Sequence, residues 1–201
     1  MTLSYDVISI IYGLAGAITF FRLVKHRHAF FDRIVTREDR HLAWTVSLFL
    51  LTPLGVLAHE AGHHLTAEFY GATNVELHHH GYWGFVTYNG VLDSTTHLKI
   101  AASGPIVGAL LGYLSLGVAM MFPIPTIFRH VIAIFGFLEI FHHLIGYPLI
   151  DIVSGLQGDF HTIYSFLPFS WAVLAGIFHL TLLALFYLAW QHPTTQNLLR
   201  R

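Results

Sequence analysis

Two histidines four residues apart, with a glutamate directly after the first, close an apolar stretch: His59-Glu60-Ala61-Gly62-His63 follows Leu54-Gly55-Val56-Leu57-Ala58. On an α-helix a four-residue step turns through about 400°, so both imidazoles leave the same face roughly one turn apart. That spacing lets two ring nitrogens reach one Zn²⁺. The carboxylate of Glu60 beside them can take a proton from a metal-bound water as it attacks a carbonyl. A polar helix end is the plain alternative for so short a pattern. Three ionisable side chains in an apolar run are costly without a partner or ligand, which favours the metal.

A hydrolytic site of this kind needs a third protein ligand and an open position for water. Acidic residues in the second half of the chain are few: Glu139, Asp151 and Asp159. Asp159 ends Gly155-Leu156-Gln157-Gly158-Asp159 and precedes Phe160-His161-Thr162-Ile163-Tyr164, a loop feeding a helix. Asp151 follows Tyr147-Pro148-Leu149-Ile150, where an apolar run breaks. Either carboxylate can turn toward a metal from such a junction, and either can instead cap a helix or face solvent. The residues alone leave both open.

The chain holds sixteen histidines against ten Lys plus Arg. His78-His79-His80 reads as a solvated loop cluster, with metal entry or pH sensing as the functional alternative. His142 and His143 share an apolar run with Glu139 and need a polar partner there; Glu139 and His142, three apart, share a helix face. His161 adjoins Asp159 and is a candidate to support it. His26, His28, His41 and His192 read as residues of the membrane border.

The elements that must position these groups are legible in the composition. Only 10% of the 201 residues are charged and 55% are apolar, against roughly 25% charged in a soluble domain. Lipid is the expected solvent. A net charge of -1 gives no case for nucleic acid, and the absence of cysteine excludes disulfides, thiolate ligands and a cysteine nucleophile. A spanning helix needs about 20 mostly apolar residues. Five stretches qualify: Leu3 to Phe21, Leu42 to Leu65, Ile100 to Phe122, Ile127 to Tyr147 and Phe166 to Trp190, with Pro123 and Pro125 at a tight joint. No basic segment precedes the first, so a retained helix is expected rather than a cleaved signal.

Nine of the ten basic residues fall on one side of this arrangement: Arg22, Lys25, Arg27, Arg33, Arg37, Arg40, Arg129, Arg200 and Arg201. Lys99 alone falls on the other. Positive charge accumulates in the cytoplasm, which places the N-terminus outside and the C-terminus inside a cell membrane. Between the second and third spans, Gly71 to Lys99 is too polar to cross, and Gly81-Tyr82-Trp83-Gly84-Phe85-Val86-Thr87-Tyr88 suggests a short β-hairpin. The expected fold is an all-α multi-pass membrane protein of one domain, residues 1–201, with five spanning helices and that hairpin.

Taken together, these residues resemble the site-2 proteases, a family of intramembrane zinc metalloproteases. His59-Glu60-Ala61-Gly62-His63-His64-Leu65-Thr66-Ala67-Glu68-Phe69-Tyr70-Gly71-Ala72 is similar to the family's HExGHxxxAxxxG helix. The glycine-containing hairpin follows, and Ala102-Ser103-Gly104-Pro105 resembles its AGP motif. The likeness covers about residues 44–165, leaving helices at about 3–21 and 166–190 as additions to a three-helix core. It implies one zinc per chain on His59 and His63, Glu60 as general base, and a hairpin edge that receives an unwound stretch of a membrane-spanning protein substrate.

The family's Asn-x-x-Pro segment followed by Asp-Gly, whose aspartate is the third ligand, has no clean counterpart. Alignment from the Asn puts His143 there and makes Asp151 the ligand. Alignment from the following apolar helix makes it Asp159, favoured because Gly155 and Gly158 permit a sharp turn while Ile152 follows Asp151. Polarising the substrate carbonyl then falls to His142 or His143. No periplasmic-type regulatory domain is expected within the 201 residues, which leaves substrate filtering to the spans, the loops or a regulatory membrane partner.

Three rival readings share these residues. His59 to His64 also reads HxxxHH, and Glu139-Ile140-Phe141-His142-His143 nearly forms a second histidine box, as in a membrane di-iron oxygenase of the desaturase or hydroxylase type. Such chemistry needs about eight histidine ligands, and it requires neither Glu60, the Ala-Ser-Gly-Pro segment nor the hairpin. A membrane metal sensor or transporter and an inactive relative of the proteases complete the set.

Overall fold

The computed structural model describes residues 2–32, 34–154 and 158–191. Its helices are α1 (Thr2–Lys25), α2 (Arg27–Phe30), α3 (Arg37–Val46), α4 (Thr52–Phe69), α5 (Ser94–Met121), α6 (Thr126–Phe141), α7 (Tyr147–Ser154), α8 (Asp159–Ser165) and α9 (Phe169–Gln191). Turns of π-helix, Ser47–Leu51 and His142–Gly146, join α3 to α4 and α6 to α7. Five stretches are long and apolar enough to cross a membrane: Asp6–Lys25, Arg37–Phe69, Ser94–Met121, Thr126–Asp151 and Phe169–Leu188. Each overlaps one of the five apolar runs of the sequence.

Two spans begin earlier than their hydropathy. Thr36 and Asp39 form a reciprocal capping box, the Asp39 N–H donating to Thr36 Oγ1 at 3.2 Å and the Thr36 N–H to Asp39 Oδ2 at 2.8 Å. Asp93 accepts from the Thr96 N–H at 2.6 Å. Each cap satisfies N–H groups that a helix start leaves unpaired, and so draws polar residues into the first turns. The fourth span does not break at Tyr147-Pro148, as the sequence suggests, but passes through the π-turn into α7.

Prolines in these helices create acceptors. Pro53 has no N–H to return to the carbonyl of Phe49 four residues earlier, and that carbonyl accepts from the Tyr82 hydroxyl in the hairpin. Pro148 likewise frees the carbonyl of Leu144, which accepts from His179 Nδ1–H of α9 at 2.6 Å. The hairpin and the last helix are thus each pinned to a carbonyl that a proline released.

Strands β1 (Thr73–His79) and β2 (Gly84–Asn89) pair antiparallel, with Leu77 opposite Val86 and His79 opposite Gly84. The hairpin is longer than the sequence suggested, and residues 80–83 form its link. His78 and His79 therefore stand in β1 rather than in a loop, while His79 and His80 are solvent-exposed as expected and His80 lies in the link. Val75 and Leu77 alternate inward, His78 stacks on Phe85 with ring centres 4.5 Å apart, and His79 Nε2–H donates to the Pro53 carbonyl at 2.9 Å. These partners outweigh the polarity of the run.

Burial separates inner helices from outer ones. Half of the most apolar stretch within Thr126–Asp151 is buried, against 11% within Asp6–Lys25 and 6% within Phe169–Leu188. Gly112 of α5 and Gly136 of α6 face each other so closely that a Cβ on either would meet the other's carbonyl oxygen at 2.9 or 2.8 Å. Small residues permit such backbone approach between apolar helices. At one end of the bundle Phe30, Leu42, Val46, Ile127, Val131 and Ile134 pack as an apolar core, and Ser47 Oγ–H reaches the Val131 carbonyl at 2.9 Å.

Candidate metal centre

His59 and His63 lie in the middle of α4, both buried, and their ring nitrogens converge with a carboxylate from α8. His59 Nε2 is 3.0 Å from His63 Nε2 and 2.9 Å from Asp159 Oδ2; His63 Nε2 is 3.2 Å from the same oxygen. Ligand atoms of these three residues all lie within 4.8 Å of one another, close enough to hold one metal ion. Among the described residues this is the one such group of three or more.

The protons show what the triangle wants. His63 Nδ1–H donates to the Ile100 carbonyl at 2.6 Å, so its Nε2 presents a lone pair. Asp159 Oδ2 is an acceptor as well. A proton on His59 Nε2 serves one of these neighbours fully, whereas a cation serves all three atoms. Two imidazole nitrogens and one carboxylate oxygen suit a first-row divalent ion and leave a fourth position open. Space for the rings comes from α5: a Cβ at Gly104 would fall on the His63 imidazole and stand 2.7 Å from His59 Nε2.

Asp159 opens α8, and two residues of α7 hold that opening in place. The Asp151 carboxylate accepts from the N–H groups of Gly158, Phe160 and His161 at 3.2, 2.9 and 3.1 Å. The Tyr147 hydroxyl accepts from the Asp159 N–H at 3.1 Å. The two aspartates that the sequence left in competition have separate tasks: Asp151 caps the helix whose first residue, Asp159, faces the histidines. Gly155, invoked for the turn, lies outside the described residues.

Glu60 is buried next to the triangle, on the side where the hairpin lies. A Cβ at Gly84 of β2 would stand 2.7 Å from Glu60 Cγ, so the strand rests against this side chain. A side chain at this position would force Glu60 or the β1 backbone to shift.

The remaining histidines divide. His143 lies behind His59, 3.3 Å from its Nδ1, not on the face where the three atoms converge. It pairs with Glu139 Oε2 at 3.2 Å, so the partner of Glu139 is the histidine four residues on, not His142 three residues on. His142 instead stacks on Tyr147, the ring planes 2° apart. His64 turns away toward Glu68, 3.5 Å from Oε1. The exposed His161 gives Asp151 only its backbone N–H. His192 lies outside the described residues. Tyr147 escaped sequence reasoning, because nothing in its type or spacing announced a bond to a residue twelve positions away. Comparison with protein-family models, with curated proteins and with solved structures finds no match.

Proposed function

We propose that this chain is a zinc-dependent endopeptidase that cuts membrane-spanning proteins within the bilayer. The observation that carries the reading is the convergence of His59 Nε2, His63 Nε2 and Asp159 Oδ2 beside a buried Glu60. His59, His63 and Asp159 would hold the ion. Zinc, when bound, supplies a Lewis acid that lowers the pKa of a water and polarises a carbonyl.

The chain's own residues do the rest. Glu60 takes the proton of the attacking water and returns it to the amide nitrogen that leaves. The β2 edge, lying against Glu60, receives the unwound substrate as an added strand, because a helical peptide bond is shielded by its own hydrogen bonds. His142 and His143 are not assigned to the carbonyl: the first is stacked on Tyr147 and the second stands behind His59. The basic residues give an orientation with the N-terminus outside and the C-terminus in the cytoplasm.

Glu60→Gln tests this. The variant keeps one zinc per chain by elemental analysis, lowers cleavage of co-expressed single-span substrates by about 10²–10⁴-fold, and retains uncut substrate on affinity purification from membranes. Two irons per chain, or cleavage undiminished in Glu60→Gln, would overturn the proposal.

A further inference from the structure

Buried polar contacts continue past the metal triangle on its far side. His59 Nδ1 stands 3.3 Å from His143 Nδ1, and His143 Nε2 stands 3.2 Å from Glu139 Oε2. His59, His143 and Glu139 are 7%, 3% and 5% exposed, so bulk solvent has little access to these contacts. The proton positions in the run are determined by its two ends. A metal at His59 Nε2 needs the lone pair there, which puts the proton on Nδ1 as a donor. His143 must then accept at Nδ1 and carry its own proton on Nε2, which points at the Glu139 carboxylate. Each donor meets an acceptor, from carboxylate to metal, with no orphan.

The room for this run is built into two other helices. A Cβ at Gly108 of α5 would fall on the His143 ring, with Cε1 2.6 Å away. One at Gly55 of α4 would stand 2.6 Å from the Glu139 carboxyl carbon. Glycines on two helices thus clear space for a pair contributed by a third segment, at a depth where an ionisable pair is otherwise costly.

We propose that Glu139 and His143 are positioning residues for the metal: through His143, the Glu139 carboxylate fixes the Nδ1–H form of His59, aims its Nε2 lone pair and strengthens it as a donor. The inference rests on His59 being a ligand, as in the proposed function, but not on the ion being zinc or the reaction being proteolysis. Hydrogen-bonded partners of metal-bound histidines commonly set ring orientation and basicity. Here the carboxylate acts across one further imidazole.

The test uses the full chain in detergent, stripped with chelator and titrated with Co²⁺. Glu139→Gln, which keeps shape and a hydrogen-bonding acceptor but loses the charge, should weaken Co²⁺ binding about tenfold, and His143→Phe by about 10–100-fold. At saturating metal, Glu139→Gln should also shift the visible ligand-field bands of the ion, which loosened packing elsewhere would leave in place. Because the pair acts in series, adding Glu139→Gln to His143→Phe should cost no further affinity; a purely structural pair would give additive losses. Wild-type affinity and an unshifted spectrum in Glu139→Gln would overturn the inference alone. A wild-type chain that takes up no ion would overturn both it and the proposed function.

Discussion

Helices α5 and α9 have the length and apolarity of spanning segments, yet they relate to the rest of the molecule in opposite ways. α5 turns Gly104, Gly108 and Gly112 inward, onto the His63 ring, the His143 ring and the backbone of Gly136. α9 meets its neighbours through few contacts, and its principal polar tie is His179 to the Leu144 carbonyl. Its Trp171, Leu174, Phe178, Leu185 and Leu188 face outward. Apolarity therefore identifies the solvent of a helix but not its place. Place is set by small residues that admit a neighbour and by polar groups that must find one.

The contrast is broken most severely at the candidate metal triangle of His59, His63 and Asp159. Asp159→Ala removes one of three converging atoms and should abolish both metal uptake and cleavage, read by elemental analysis and substrate cleavage. Asp151→Ala provides the internal comparison. It leaves three N–H groups at the start of α8 without their acceptor, which costs about 1–3 kcal/mol of stability where such groups are buried, but it removes no ligand. Thermal unfolding should show that loss while the metal remains. If Asp151→Ala loses the ion and Asp159→Ala keeps it, the separate tasks assigned to the two aspartates are reversed.

These two aspartates also mark where the sequence stops being legible. The five apolar stretches, the helical histidine pair and the adjacent glutamate are local patterns, and the fold reproduces them. The choice between Asp151 and Asp159 depends on how α7 and α8 turn toward α4, which no local pattern states. The π-turn at His142–Gly146 shifts the angular position of every residue beyond it. His142 and His143, three and four residues beyond Glu139, are both helix-face neighbours of it, so spacing alone does not choose between them. The hairpin was underestimated for a related reason: the partners that draw His78 and His79 into β1 are Phe85 and the Pro53 carbonyl, one across the strand pair and one in another helix.

Gly104→Ala attacks the inner side of α5 without replacing a candidate ligand. The new methyl would overlap the His63 imidazole, an overpacking that costs about 1–3 kcal/mol, and should push the ring off its position. Reduced Co²⁺ affinity together with a lower melting temperature is the expected outcome. On α9 the corresponding perturbation is His179→Leu. It leaves the Leu144 carbonyl, freed by Pro148, without its donor, a loss of about 1 kcal/mol. Faster proteolysis of α9 should report it, with metal uptake unchanged.

The smallest effect should come from the same chemistry as Gly104→Ala, applied where nothing is near. Gly13 in α1 and Gly176 in α9 have no atom within 4 Å of the place a Cβ would occupy. An alanine there meets no neighbour and removes the entropic cost of glycine inside a helix, roughly 0.5–1 kcal/mol. Gly13→Ala and Gly176→Ala should therefore leave metal affinity at the wild-type value and raise the melting temperature slightly. Opposite signs for one substitution on inner and outer helices would show that α1 and α9 flank the centre without shaping it. Loss of metal affinity in either outer variant would show instead that these helices press on the site through contacts made only in the membrane.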